Sequence, residues 1–179
     1  MKESLFTVKI CNWITKYSIY ALLFLLPIFY LPWTSEVLDF NKQTLLVFLA
    51  FVSLFAWMLK VLVSGKMEFN KNKIHIFIGA FFLIFLLSTF FSVDKYGSFW
   101  GWPRVTADSL LTIIGLIVVY FACSSVFSKK EIVTSVYVLS VSALLAEIYG
   151  ILQLFGLYII PFNFAKSVSF KTIGSVSAM

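Results

Sequence analysis

The sequence predicts an all-α fold: a polytopic membrane helix bundle of about five transmembrane helices, with its N-terminus in the cytoplasm. Composition is the first reason. Of 179 residues, 61% are hydrophobic and 12% are charged, against about half and about a quarter in soluble domains. So few charges cannot cover a globule of this size. Aromatic content is the second reason, because 21 Phe, 8 Tyr and 5 Trp add apolar area that water would not tolerate at a surface. The third is the recurrence of long uncharged apolar runs between short polar stretches. Together these exclude a soluble enzyme, a disordered tail and a nucleic-acid-binding domain.

A helix needs about 20 predominantly apolar residues to span a bilayer. Runs free of Asp, Glu, Lys and Arg cover 17–35, 43–59, 74–93, 109–128 and 132–146, the last resuming after Glu147 as 148–165. The first helix is placed at 17–34. Pro27, Tyr30, Pro32 and Trp33 stand where a cleavable signal would carry small residues, so Tyr30 and Trp33 read as an interfacial anchor. The second helix is placed at 43–63, carried past Lys60 because a lysine can snorkel. The third, fourth and fifth are placed at 74–92, 109–127 and 132–157. All are apolar all round, as lipid-bathed helices must be. Residues 1–16 then form a cytoplasmic N-terminal segment, 17–157 the transmembrane region and 158–179 an outward-facing tail.

Orientation follows from basic residues in alternate loops. One side collects nine lysines, at 2, 9, 16, 60, 66, 71, 73, 129 and 130. The other holds five cations: Lys42, Lys95, Arg104, and Lys166 and Lys171 of the tail. The richer side is cytoplasmic. The net charge of +6 reflects this bias, and no Lys/Arg block is long enough to track a phosphate backbone. Membrane lipids, and no nucleic acid, are the expected surroundings. Cys11 and Cys123 are too few for a disulfide framework and both fall toward the cytoplasmic face.

Catalytic machinery is hard to find. The lone histidine, His75, has no neighbouring Cys, Asp or Glu with which to build a metal site, so it reads as interfacial packing. No Walker loop, GxGxxG, GxSxG or HExxH occurs. No metal, no cofactor and no catalytic residue is assigned. Glu147 is the informative acid, about 22 Å into the fifth helix by its rise of 1.5 Å per residue. A carboxylate there is costly and is expected to face a bundle interior or wet cavity, as a relay, a polar contact or a structural hydrogen bond. Ser142, Ala146 and Gly150 form a small-xxx-small pattern that lets helices approach closely. Gln153 points about 120° away from Glu147 and is expected to bond to a neighbouring helix.

The outer loop 94–108, DKYGSFWGWPRVTAD, has a character of its own. Arg104 is the only arginine of the chain, and its fork suits pyrophosphate as well as lipid phosphate. Trp100 and Trp102 beside it suit either a headgroup-level belt or a platform for sugar rings.

The order of features resembles a known family. The third helix ends in Ser88-Thr89-Phe90-Phe91-Ser92, followed by Ser98-Phe99-Trp100-Gly101-Trp102-Pro103-Arg104 and a new apolar helix at Leu110-Leu111. Later come Gly150-Ile151-Leu152-Gln153-Leu154-Phe155-Gly156 and Thr172-Ile173-Gly174-Ser175. Over roughly 40–179 this is similar to the N-terminal part of the O-antigen ligase and polymerase superfamily. Two phrases depart from it: Arg104 is followed by Val105-Thr106-Ala107-Asp108 rather than R-x-x-G, and Gly174 by Ser175-Val176-Ser177-Ala178 rather than a G-N-P-N phrase. The resemblance implies a multi-pass glycosyltransferase of the bacterial cytoplasmic (inner) membrane. It would move a glycan from an undecaprenyl-pyrophosphate carrier to an acceptor on the outer side. It also implies about a dozen helices, with essential His and Arg on a later outer loop, so the chain is expected to be a fragment that is inactive alone. Two other classes stay open: a small transporter or channel component using Glu147 for ion coupling, and a non-catalytic membrane scaffold.

Overall fold

The computed structural model describes residues 2–31, 38–65, 73–101 and 106–156. Six helices and no strand occur among them: α1 (Lys2–Leu25), α2 (Asp39–Ser64), α3 (Ile74–Phe90), α4 (Lys95–Trp100), α5 (Leu110–Val126) and α6 (Lys129–Leu154). The fold is all-α, as expected.

Boundaries moved where local chemistry overrides hydropathy. The first helix begins at Lys2 rather than 17, because Lys9 and Lys16 lower hydropathy without breaking a helix. It stops at Leu25 rather than 34. Pro27 cannot donate to the ladder and disfavours helix at the residue before it, so the chain leaves through a turn in which Phe29 N–H bonds to the Leu25 carbonyl (2.7 Å). α2 starts with Asp39 in its first turn and ends at Gly65, whose φ of 62° supplies the left-handed cap, its N–H bonding to the Val61 carbonyl. α6 opens earlier than 132, because the Glu131 carboxylate reaches back to the Ser128 backbone N–H (2.6 Å) and secures the first turn. The short helix α4 inside the loop was not anticipated.

α2 packs against both α1 and α5, which also touch each other; α6 packs on α1, and α3 packs on α5. Contacts fix the directions. Lys16 pairs with Glu131, the Tyr20 and Phe127 rings sit 5.4 Å apart, and the Tyr120 hydroxyl meets His75 Nδ1 at 3.3 Å, all at one end of the bundle. At the other end Gln43 meets Trp100 and Ser109. α2 and α5 therefore run one way and α1, α3 and α6 the other. The long helices thus alternate in direction along the chain.

What lies inside is unusual for a protein in water. Thr15, Ser18, Asn41, Gln43, Ser53, Ser109, Thr112, Ser142 and Gln153 are all buried, while Phe51 is 68% exposed, Phe77 74% and Leu144 62%. α3 buries no residue at all. Small and hydroxyl side chains let backbones approach; Ser53 Oγ bonds to the Ala50 carbonyl (2.8 Å), and a Cβ on Gly115 would sit 3.3 Å from Leu46 Cγ. Ile19, Leu22, Leu46 and Leu110 are buried with them, but many large apolar groups, Phe above all, point outward, the arrangement expected where the surroundings are hydrocarbon.

α2 and α6 are long and apolar enough to cross a membrane, and only 22% and 11% of their most apolar windows are buried, unlike core helices of a soluble protein. Two helices thus meet that test where five crossings were expected. α3 and α5 are apolar but 17 residues long, about 26 Å against a hydrocarbon core of about 30 Å. α1 carries Lys9 and Lys16.

The Lys16–Glu131 pair ties α1 to α6 in the first turn of α6, ahead of the apolar run that starts at Ile132. The Lys16 ammonium, joined by the Ser128 N–H, lowers the Glu131 carboxyl from 4.5 to about 2. A carboxyl lowered by folding stabilises fully above its unfolded value and stops doing so as pH falls through the folded one. Melting temperature in detergent is therefore expected to drop between pH 4.5 and 2, the two values of this group. Glu131→Gln should flatten that part of the profile, and an unchanged slope in the variant would assign the acid sensitivity to other groups.

Candidate functional site

The loop 94–108 is built from its two stems inward. After α3, Ser92 Oγ donates to the Asp94 carbonyl (3.1 Å) and accepts from Ser98 Oγ (2.6 Å). Asp94 Oδ1 accepts the Gly97 N–H (2.9 Å), capping α4. A Cβ at 97 would come within 2.3 Å of Asp94 Oδ2, so a larger residue there would push the capping carboxylate aside. Gly101, at φ 81°, closes α4 by bonding to the Gly97 carbonyl.

One side chain of α2 then joins both stems. Gln43 Nε2 donates to the Trp100 carbonyl (2.9 Å) and to Ser109 Oγ (2.7 Å). Ser109 Oγ also caps α5 by accepting the Thr112 N–H (3.2 Å), and Thr112 Oγ1 donates to the Thr106 carbonyl (2.7 Å). Gln43, Thr106, Ser109 and Thr112 are all buried. A satisfied buried network of this kind holds its members in one geometry. It grips the chain on either side of 102–105, the stretch that carries Trp102 and Arg104. Those two residues lie outside the described ones.

Trp100 is 46% exposed and lies edge-on to Phe99 (5.2 Å) and tilted to Tyr96 (6.3 Å). Tyr96 and Trp100 are one turn apart on α4, so both rings face outward together. Lys95 is exposed beside them. Near the same end, burial lowers the Lys42 ammonium, with Asp39 opposing the shift. The end of the bundle that carries the Arg104 loop thus combines flat aromatic faces with cations, a surface suited to a phosphorylated or glycosylated headgroup.

The other two predicted polar residues are elsewhere. α6 buries Ser142 and Ala146, and Ser142 Oγ donates to the Phe24 carbonyl of α1, whereas a Cβ on Gly150, the third member of the small-residue pattern, would meet nothing within 4 Å. Gln153 lies on the same face, 2% exposed, and donates to Tyr149 Oη one turn back (3.0 Å). Glu147 does not face an interior or a cavity, as the sequence led one to expect; it is exposed on the opposite side of α6. The helical period forces this, because the Ser142–Ala146 stripe takes the inward face and the next residue turns about 100° away.

Gln43 is the residue that sequence reading missed as a site element. Its signal was present: an amide in the first turn of an otherwise apolar run, with Ser109-x-x-Thr112 opening another. His75 packs against Tyr120 and Phe121, with ring centroids at 5.7 and 5.3 Å. Among the described residues no group of three or more His, Cys, Asp or Glu converges on a point. A groove of about 170 Å³ between α2 and α5 is lined by Leu54, Trp57, Ile117, Val118, Phe121 and Ala122, none of which offers a group for acid–base or nucleophilic chemistry. Comparison with family models, curated proteins and solved structures finds no match to this chain.

Proposed function

We propose that this chain is a multi-pass bundle of the bacterial cytoplasmic membrane, with five crossings formed by α1, α2, α3, α5 and α6. Its 94–108 loop would engage the pyrophosphate and first sugars of an undecaprenyl-linked glycan, as part of an O-antigen ligase-like glycosyltransferase. The observation that carries the reading is the loop's anchorage: Gln43 ties both stems of an aromatic and cationic loop to the end of a bundle whose outer surface is hydrocarbon-like. The alternating helix directions and the lysine-rich opposite end support the same placement. Within the reaction, cations at this loop would stabilise the departing pyrophosphate, with Arg104 as the fork-shaped donor and Trp100 and Trp102 as stacking faces. The ion-coupled transporter reading is not kept, because the acid it depends on, Glu147, is turned away from every helix seam of the bundle.

The test uses protein in lipid nanodiscs with undecaprenyl pyrophosphate as probe. Arg104→Ala is expected to weaken binding about tenfold or more, the loss of a charge-assisted contact, and Arg104→Lys to restore only part of it. Undecaprenol without phosphate should bind equally to both proteins. Equal binding of the pyrophosphate lipid to wild type and Arg104→Ala would remove the loop from substrate recognition. Recovery of the protein in the soluble fraction after carbonate extraction would remove the membrane placement itself.

A further inference from the structure

The lysine-rich end of the bundle carries a surface of its own, remote from the loop 94–108. On α1, Lys2, Lys9 and Lys16 stand seven residues apart and so fall on one line of the helix. Phe6, Trp13 and Tyr20 keep the same spacing on the line beside it. Trp13 and Tyr17 are exposed, with ring centroids 4.3 Å apart. Tyr17 lies edge-on to Tyr20 (6.1 Å), which meets Phe127 of the α5–α6 turn (5.4 Å). An aromatic ladder thus runs from α1 to the start of α6. Cations border it at both ends: Lys9 is exposed one turn from Trp13, and Lys129 and Lys130 are exposed in the first turn of α6. Glu131, the acid next to them, is already paired with Lys16.

Depth identifies what this corner meets. Lys16 is level with Glu131, immediately ahead of the apolar run that opens at Ile132. Trp13 lies about 5 Å beyond that level and Lys9 about 10 Å, by the helical rise. A headgroup layer is about 5–7 Å thick on each side of the hydrocarbon, so the rings sit among headgroups and a lysine reaches back into them. Charge identifies the kind of headgroup. By sequence this end holds nine lysines against three acids, Glu3, Glu68 and Glu131. The loops of the other end hold five cations against four acids, Glu36, Asp39, Asp94 and Asp108. Lysines beside aromatic rings at headgroup depth favour anionic lipid. We propose that this corner binds an anionic phospholipid of the cytoplasmic leaflet. Lys9, Lys129 and Lys130 hold its phosphate, and its glycerol and upper acyl carbons lie on the Trp13 and Tyr17 rings. The α1–α6 junction makes this a site rather than a diffuse field. The Lys16–Glu131 pair, the Tyr20 hydroxyl on the Glu131 carbonyl and the Tyr20–Phe127 contact hold both groups of cations against one ladder.

This inference rests on the membrane placement above and is tested separately from it. Full-length protein in mild detergent is offered equal amounts of phosphatidylglycerol and phosphatidylcholine with identical acyl chains, and retained lipid is read by native mass spectrometry. Wild type is expected to retain phosphatidylglycerol in about fivefold excess or more. Combining Lys9→Gln, Lys129→Gln and Lys130→Gln should reduce that excess about fivefold or more, the effect of losing at least one lysine contact at an anionic surface. Arginine at the same three positions should keep it. Lys60→Gln with Lys73→Gln, at the same end but on α2 and at the N-cap of α3, should leave it unchanged. Trp13→Ala should lower the amount retained. Equal retention of the two lipids by wild type, the same loss from both lysine sets, or indifference to Trp13→Ala would each overturn the proposal. Displacement of the lipid by soluble polyglutamate would make an acidic protein segment the occupant and overturn it likewise. Protein that resists carbonate extraction yet shows no preference overturns this inference alone, whereas soluble protein overturns the placement beneath it.

Discussion

Ser142→Leu is expected to detach α6 from α1. Ser142 is fully buried and its hydroxyl bonds directly to the Phe24 carbonyl, so there is no room between the two backbones for a branched side chain. Overpacking costs about 1–3 kcal/mol even in cores that can shift. Here the lost hydrogen bond adds about 1 kcal/mol. The Lys16–Glu131 pair and the Tyr20 hydroxyl on the Glu131 carbonyl would remain between the helices, and a part-exposed ion pair contributes little by itself. Thermal unfolding in detergent should show a large drop for Ser142→Leu and a small one for Ser142→Ala, which loses the bond and keeps the contact. Leu144→Ser, on the outward face, should leave this contact intact. Equal melting of Ser142→Leu and wild type would mean that α6 is held by something other than this seam.

Gln43→Leu is expected to have the second largest effect, and its signature is local. The substitution removes both donors that join Trp100 and Ser109. Ser109 Oγ keeps its bonds with Thr112, but the Trp100 carbonyl loses its partner. A polar group left unpaired costs about 1–3 kcal/mol when fully buried, and less at this part-buried carbonyl. Gln43→Glu should do at least as much harm, because an ionised carboxylate accepts hydrogen bonds and cannot donate to a carbonyl. Arg104 is the only arginine of the chain, so an arginine-specific protease reports on this one loop. Cleavage after Arg104 should be faster in Gln43→Leu than in wild type under conditions where both remain folded. An unchanged rate would show that the glutamine does not hold the loop.

Much of the fold was legible in the linear order of residues. Apolar runs located α2, α3, α5 and most of α6 within a few residues, because a buried or lipid-bathed helix declares itself by composition. The ends were less legible where hydropathy and helix propensity disagree. Lys9 and Lys16 hid the first half of α1, and Pro27 ended it earlier than its apolar neighbours suggested. α4 escaped notice since six residues around Gly97 have little propensity of their own; Asp94 and Gly101 make the turn by capping it. The loop 94–108 was recognisable as distinctive from its aromatics and its single arginine.

Distances along the chain were the limit. The pairing of Lys16 with Glu131 and the grip of Gln43 on Trp100 and Ser109 join residues between 57 and 115 positions apart, and no local pattern encodes such partners. Glu147 shows the same limit from the other side. Sequence placed an acid deep in an apolar helix and left its facing undetermined, because depth depends on position along one helix while facing depends on which neighbour packs against it. The sequence by itself determined the helical class, the apolar character of the surface and the presence of one aromatic, cationic loop, all of which follow from composition and period. Tertiary structure alone decided that hydroxyl and amide side chains share the interior with Ala, Leu and Ile, that one glutamine clamps the loop, and that Glu147 points outward. Those outcomes depend on which helix faces meet, and close approach of backbones selects small residues for the inside.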